Sequence, residues 1–205
     1  PNQAVSAAAQ RKINAKRDQT PPPRSVRDII KKKSKALLAD TTTLWRTDAV
    51  RLAAAAVLTT GPASAVPALA TASVQLVVTS PPVLDVVQYA DDNWLRCWFC
   101  GIDAQAVPIT MARTVPAWQQ AMGEVFAELH RIVRPGGFVA FEVGEVKRGK
   151  VKLEEAVVPV AAAAGLRPEL VMIHAQKFTK TANCWGIDNN EAGTNTNRIV
   201  VLARP

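Results

Sequence analysis

The run Val74-Gln75-Leu76-Val77-Val78-Thr79, followed at once by Ser80-Pro81-Pro82, restricts the fold more than any other stretch of the chain. β-Branched and apolar side chains at both odd and even positions read as a strand buried on both faces. That is the pattern of a parallel sheet between helical layers. Proline has no N–H and a fixed φ, so two in succession stop the hydrogen-bond ladder and hold the chain extended. The loop then leaves the strand in a set shape. Its carbonyl oxygens remain able to accept hydrogen bonds, and Ser80 adds a hydroxyl. A loop of this kind suits a planar amino group, which offers two donors. Taken alone, the three residues are equally consistent with an ordinary structural turn.

Strand and helix patterns alternate around this run. The Ala-rich opening, PNQAVSAAAQRKINAK, favours helix, and Thr20-Pro21-Pro22-Pro23 breaks it. Ser25 is placed to cap a helix running to about Leu38. Leu44 to Val50 reads as a short strand ending at Asp48, and Arg51 to Leu58 as a short helix. Residues 61–73, rich in Gly, Pro, Ala and Ser, read as a loop. Val86 to Phe99 has helical periodicity, and its aromatics Trp94, Trp98 and Phe99 are expected mainly in the core. Ala117 to Val133 is a clearer amphipathic helix, with Trp118, Met122, Val125, Phe126, Leu129 and Ile132 three or four apart. Arg134-Pro135-Gly136-Gly137 should stop it. Phe138 to Gly144 reads as another buried strand, Leu153 to Ala164 as a helix ended by Gly165, and Leu170 to Ala175 and Arg198 to Ala203 as the last strands. The expectation is an α/β chain of the Rossmann-like kind: a mostly parallel twisted sheet with helices on both faces, in a form that is incomplete if the chain is shortened.

Charge divides the chain. Residues 1–36 hold ten Lys/Arg against two acids, and the remainder holds fifteen of each, so the whole net charge of +8 sits in the first segment. This suggests a basic helical segment over residues 1–40 and an α/β domain over 41–205. Arg24 to Lys35 is the centre of the charge and contains Lys31, Lys32 and Lys33. Such a concentration attracts polyanions, nucleic acid among them; a solvated helix face is the other reading. No apolar run has the length of a membrane span, and no apolar stretch follows the first charges as in a secretory signal. Cys97, Cys100 and Cys184 are too few for a disulfide scaffold, so a reducing, cytoplasmic setting is expected. Cys97-x-x-Cys100 sits on a helix and lacks two further ligands at zinc spacing, so no metal and no membrane partner are expected.

In open α/β sheets, ligands bind beyond the carboxyl ends of the strands. Three strand ends are polar or Gly-rich: Thr47-Asp48, Thr79-Ser80-Pro81-Pro82 and Glu142-Val143-Gly144-Glu145. In one sheet they would line one edge. A separate polar segment, Ala175 to Val201, is rich in Asn and Thr and contains Phe178 and Trp185. It reads as a solvated loop or as a nucleic-acid-facing loop, with Lys177, Lys180 and Arg198 on phosphates and amides such as Asn195 on base edges.

TSPPVLDVVQYADDNWLRCWFCG (from Thr79), followed by LHRIVRPGGFVAFEVGEV (from Leu129), resembles the amino-methyltransferases of DNA. These methylate the exocyclic nitrogen of cytosine or adenine from S-adenosyl-L-methionine. The resemblance covers about Leu44 to Pro205. The serine form of the S-P-P motif is typical of the cytosine-N4 branch. The resemblance implies that Ser80, Pro81 and Pro82 form the catalytic loop, with Ser80 and the Pro81 carbonyl on the target amino group. It implies that Asp48, Thr79, Glu142 and Gly144 border the cofactor, and that double-stranded DNA is the partner. Three departures stand out. The aromatic that follows the prolines and stacks on the flipped base is Val83 here, leaving Tyr89 or Trp94 as stacking candidates. The Phe-x-Gly-x-Gly type loop that holds the methionine part of the cofactor is absent, and Thr47 replaces the usual Gly beside Asp48. This implies a chain that begins downstream of half its cofactor site: a fragment, a shortened protein, or one subunit of a split enzyme whose partner supplies the loop. A non-catalytic DNA-binding module is the alternative from another class. Methylation of RNA or of a protein glutamine is the third.

Overall fold

The computed structural model describes residues 7–18, 20, 23–82, 84, 89–146, 151–175 and 196–205. The chain forms two compact units, Val5–Thr60 and Gly61–Pro205. The boundary expected near residue 40 falls inside the first unit, between its second and third helices.

The first unit holds α1 (Ala7–Arg17), α2 (Val26–Leu38) and α3 (Thr43–Ala55). Helix α2 starts as the sequence suggests: the Ser25 hydroxyl accepts from the Asp28 N–H at 3.2 Å, satisfying one of the unpaired donors of the first turn. Helix α3 corrects the sequence reading. Leu44 to Val50 is no strand, and the separate helix from Arg51 merges with it into one element. The cause is local: the Thr42 hydroxyl caps the Trp45 N–H at 3.1 Å. The Arg46 guanidinium donates to the Thr41 hydroxyl and to the Leu38 carbonyl at the end of α2, both at 2.8 Å. Neither α2 nor α3 buries a residue.

The second unit is built on a sheet of β1 (Val74–Thr79), β2 (Val133–Val146), β5 (Thr196–Ala203) and β4 (Arg167–Ala175), in that spatial order. A two-residue strand, β3 (Val151–Lys152), pairs with the end of β2. Strands β1 and β2 are parallel, with Thr79 opposite Phe141. Strand β5 is antiparallel to both its neighbours, so β1, β2 and β4 all point one way and β5 the other. The Rossmann-like α/β expectation holds in this form, three strands to one.

Helices α5 (Val115–Ile132) and α6 (Leu153–Ala163) cover one face. Thr114 caps α5, and Trp118, Met122, Phe126, Leu129 and Ile132 form its buried stripe. They meet Val139, Phe141 and Val143 of β2 and Val200 and Leu202 of β5. The Phe126 and Phe141 rings lie 4.8 Å apart and tilted, a favoured aromatic arrangement. The opposite face carries Leu76, Val78, Phe138, Leu170 and Met172, all exposed, Val78 to 74%. Strands β1 and β2 are therefore apolar on both sides but buried on one, which the residue pattern alone does not separate.

Helix α5 ends at Ile132, and β2 begins at once, earlier than the expected Phe138. Gly136 and Gly137 make this possible. Gly136 has φ 73°, a left-handed conformation open to glycine, and its N–H donates to the Arg204 carbonyl at 2.9 Å. A Cβ on Gly137 would lie 2.8 Å from the Gln75 carbonyl oxygen and 2.7 Å from a Val133 methyl. Helix α4 (Tyr89–Phe99) follows the proline loop. Its aromatics differ from expectation: Trp98 is 70% and Phe99 82% exposed, and Cys100 just beyond it is exposed.

Candidate functional site

Two of the three strand ends come together. Because β1 and β2 run parallel and Thr79 pairs with Phe141, Ser80 stands level with Glu142 at one edge of the sheet. Strand β5 runs the other way, so its beginning lies at that edge, with Asn197 opposite Gly144. The β2–β3 pairing brings the start of α6 there as well. The result is a cleft of about 130 Å³ lined by Ser80, Pro81, Pro82, Glu142, Val143, Gly144, Leu153 and Asn197.

The proline loop is fixed after it leaves the strand. The Trp118 Nε1–H of α5 donates to the Pro82 carbonyl at 3.1 Å, and Trp118 is buried. Leu84, next after Val83, is buried in the core. One carbonyl of the loop is thus engaged by the scaffold, while Ser80 is exposed at the cleft. Val83 lies outside the described residues.

Asp48 sits in the middle of α3, in the other unit, and pairs with Arg51 at 3.6 Å in solvent. Its expected place at a strand end disappears with the strand. Thr79 is the last residue of β1, and Tyr89 begins α4, partly buried. Lys31, Lys32 and Lys33 are exposed on α2. Lys31 joins Ile30, Ser34, Lys35, Leu38, Ala39 and Arg46 around an open concavity of about 610 Å³ in the first unit. Lys177, Lys180 and Asn195 lie outside the described residues.

The sequence suggests a phosphate contact for Arg198. In the fold its position on β5 faces the covered side of the sheet, opposite Val143, and its Nη1 bonds the Glu154 Oε1 of α6. The two side chains are only 13% and 9% exposed. Burial pushes the Glu154 carboxyl above its ordinary value, partly offset by a hydrogen bond from its own backbone.

Sequence reasoning missed Leu153, Asn197, the Trp118 bond and the Glu154–Arg198 pair. An acid in the first turn of a helix is common for electrostatic reasons, so Glu154 carried no special signal. Asn197 falls one residue before the expected strand, and nothing local shows that this strand is antiparallel.

No family model and no curated protein matches this chain. Similar solved structures exist. One is a protein of Thermus thermophilus, assigned as a DNA modification methylase and complexed with S-adenosyl-L-methionine. It is 20% identical, the match covering 71% of this chain and 54% of that one, with a TM-score of 0.46. Another is a SAM-dependent methyltransferase of Methanosarcina mazei, 7% identical over 69% of this chain and 64% of that one, with a TM-score of 0.37. A third is the 16S rRNA (adenine(1408)-N(1))-methyltransferase of Catenulisporales acidiphilia, 17% identical over 69% and 59%, with a TM-score of 0.35. The chain thus spans between about half and two thirds of each structure's length.

Proposed function

We propose that this chain carries the acceptor site of an S-adenosyl-L-methionine-dependent methyltransferase acting on an exocyclic amino group in DNA, cytosine-N4 in preference to adenine-N6. The observation that carries this reading is the proline loop. Ser80-Pro81-Pro82 leaves the end of β1, is pinned at Pro82 by Trp118, and opens with Glu142 and Gly144 onto one cleft.

The chemistry follows from those groups. An aromatic amine is a poor nucleophile because its lone pair is delocalised into the ring. Ser80 Oγ and the Pro81 carbonyl would accept the two N–H bonds. This turns the nitrogen toward tetrahedral geometry and aims its lone pair away from the loop. The cofactor supplies the electrophilic methyl group. No covalent bond between enzyme and base is required, so the chain contributes orientation and electrostatics. The target base must leave the duplex to reach such a cleft. Lys31, Lys32 and Lys33 would hold phosphates, giving salt-dependent affinity.

The residues present fit the acceptor group better than the whole cofactor. A cleft of about 130 Å³ is smaller than the roughly 300–1,000 Å³ of sites that enclose a drug-sized ligand. A second reading has its own support: the exposed apolar face of the sheet and, among the described residues, β1 standing at its edge. Both suit a partner subunit that completes the sheet and brings the remaining cofactor contacts. This chain would then be one part of a split methyltransferase, or a non-catalytic DNA-binding module.

The test is incubation of the purified chain with labelled S-adenosyl-L-methionine and unmethylated duplex DNA of mixed sequence, beside Ser80→Ala, with the nucleosides identified by mass spectrometry. The expected result is N4-methylcytosine that falls by about 10²-fold or more in the variant. DNA binding with no label in either protein would refute independent catalysis and favour the second reading.

A further inference from the structure

We infer that Glu154 and Arg198 are positioning residues for the cleft, an inference that rests on the reading above for its functional half. Glu154 is the buried charged residue among the described residues. It lies in the first turn of α6, and its Oε1 accepts from Arg198 of β5. Each has a sequence neighbour in the cleft wall: Leu153 precedes Glu154, and Asn197 precedes Arg198. The ion pair therefore ties together the two elements that supply the wall opposite the proline loop.

Elsewhere at the start of α6, Gln119 of α5 donates to the Ala156 carbonyl at 3.0 Å and Lys152 pairs with Glu155 in solvent. The N-cap of α6, Lys152, makes no side-chain capping bond. The Glu154 Oε2 is buried without a hydrogen-bond partner among the described residues. A buried ion pair seldom adds net stability over apolar side chains of similar size, because desolvation offsets the attraction. Stability alone is thus a weak reason for a charge pair here, whereas a fixed register between α6 and β5 is a use that apolar contact supplies less well. Leu153 and Asn197 do not belong to the groups that hold the reacting nitrogen. Their displacement should weaken DNA binding more than turnover.

The experiment compares the wild-type chain with Glu154→Gln, Arg198→Met and the double variant Glu154→Leu/Arg198→Met. Arg198→Met leaves the buried Glu154 carboxylate without the guanidinium and should lower Tm by roughly 10 °C, and Glu154→Gln should lower it by less. The double variant should recover Tm to within a few degrees. It should nevertheless keep KM for duplex DNA raised by about tenfold with kcat little changed. Its peptides covering 153–158 and 196–199 should exchange amide hydrogens about tenfold faster, with the peptide around Phe141 unchanged. Recovery of KM together with Tm would overturn the positioning role. So would unchanged exchange at those two peptides. If the wild-type chain transfers no methyl group, the functional reading fails by itself, and hydrogen exchange alone decides whether the pair fixes α6 to β5.

Discussion

Helices α2 and α5 start with the same device and end in different circumstances. Ser25 caps one and Thr114 the other, each through its hydroxyl. Both carry apolar residues at helical spacing. Yet α2 buries none, while α5 buries five. The difference lies in what faces them. The stripe of α5 meets the inner apolar side chains of β2 and β5. Ile29, Ile30, Leu37 and Leu38 of α2 remain exposed beside six Lys and Arg between Arg24 and Lys35. Caps and periodicity make a helix; an opposing apolar surface makes it part of a core. The positive excess therefore stays on a surface available to a polyanion, and the neutral unit carries the cleft.

The largest perturbation should come from Phe126→Ala. It empties a fully buried site against Phe141 and should cost about 3–5 kcal/mol. Chemical denaturation followed by buried-tryptophan fluorescence would read this loss. Native-state hydrogen exchange in α2 and α3, which share none of that core, should be unchanged by the substitution. Faster exchange in α2 and α3 as well would contradict the division into units.

Gly137→Ala should follow at roughly 1–3 kcal/mol, because its Cβ would meet a backbone oxygen of β1 that has little room to retreat. Calorimetry gives the value, and a neutral result would contradict the close approach of β1 and β2.

Removing a cap sharpens the comparison further. Ser25→Ala and Thr114→Ala should each weaken their own helix by about 1 kcal/mol. The first loss should appear only as faster hydrogen exchange in α2. The second should lower the cooperative transition of the sheet unit.

The smallest effect is one of pH. Glu128 accepts from Arg131 and from the Val66 N–H, and its pKa is lowered from 4.5 to about 2. Its contribution is complete above the ordinary value and disappears as pH falls from about 4.5 through about 2. Glu128→Gln should therefore flatten the acid limb of Tm against pH, and the variant and the wild type should converge near pH 2. An unchanged acid limb would mean that this contact does not hold the loop before β1.

Much of the second unit was legible because its signals are local. The stripe from Trp118 to Ile132, the Arg134–Gly137 stop and the Ser80-Pro81-Pro82 loop each state their geometry within a few residues. Leu44 to Val50 misled because its composition suits a strand, whereas Thr42 and Arg46 close a helix there. Asn197 and Glu154 were hidden for a different reason. The place of Asn197 at the cleft and the bond of Glu154 to Arg198 depend on β5 entering the sheet antiparallel between β2 and β4, a long-range arrangement with no local mark. The same topology sets Arg198 beside Glu154 on the covered side of the sheet.

The central claim is that chemistry belongs to the edge formed by β1 and β2, and polyanion attraction to the basic helix. Hydrogen-exchange footprinting tests it directly, with the wild-type chain alone and then with unmethylated duplex DNA and S-adenosyl-L-methionine. The account predicts slowed exchange at peptides covering Thr79–Ser80 and Glu142–Gly144, together with protection of α2. Protection confined to α2 and α3, with Thr79–Ser80 and Glu142–Gly144 unchanged, would contradict it.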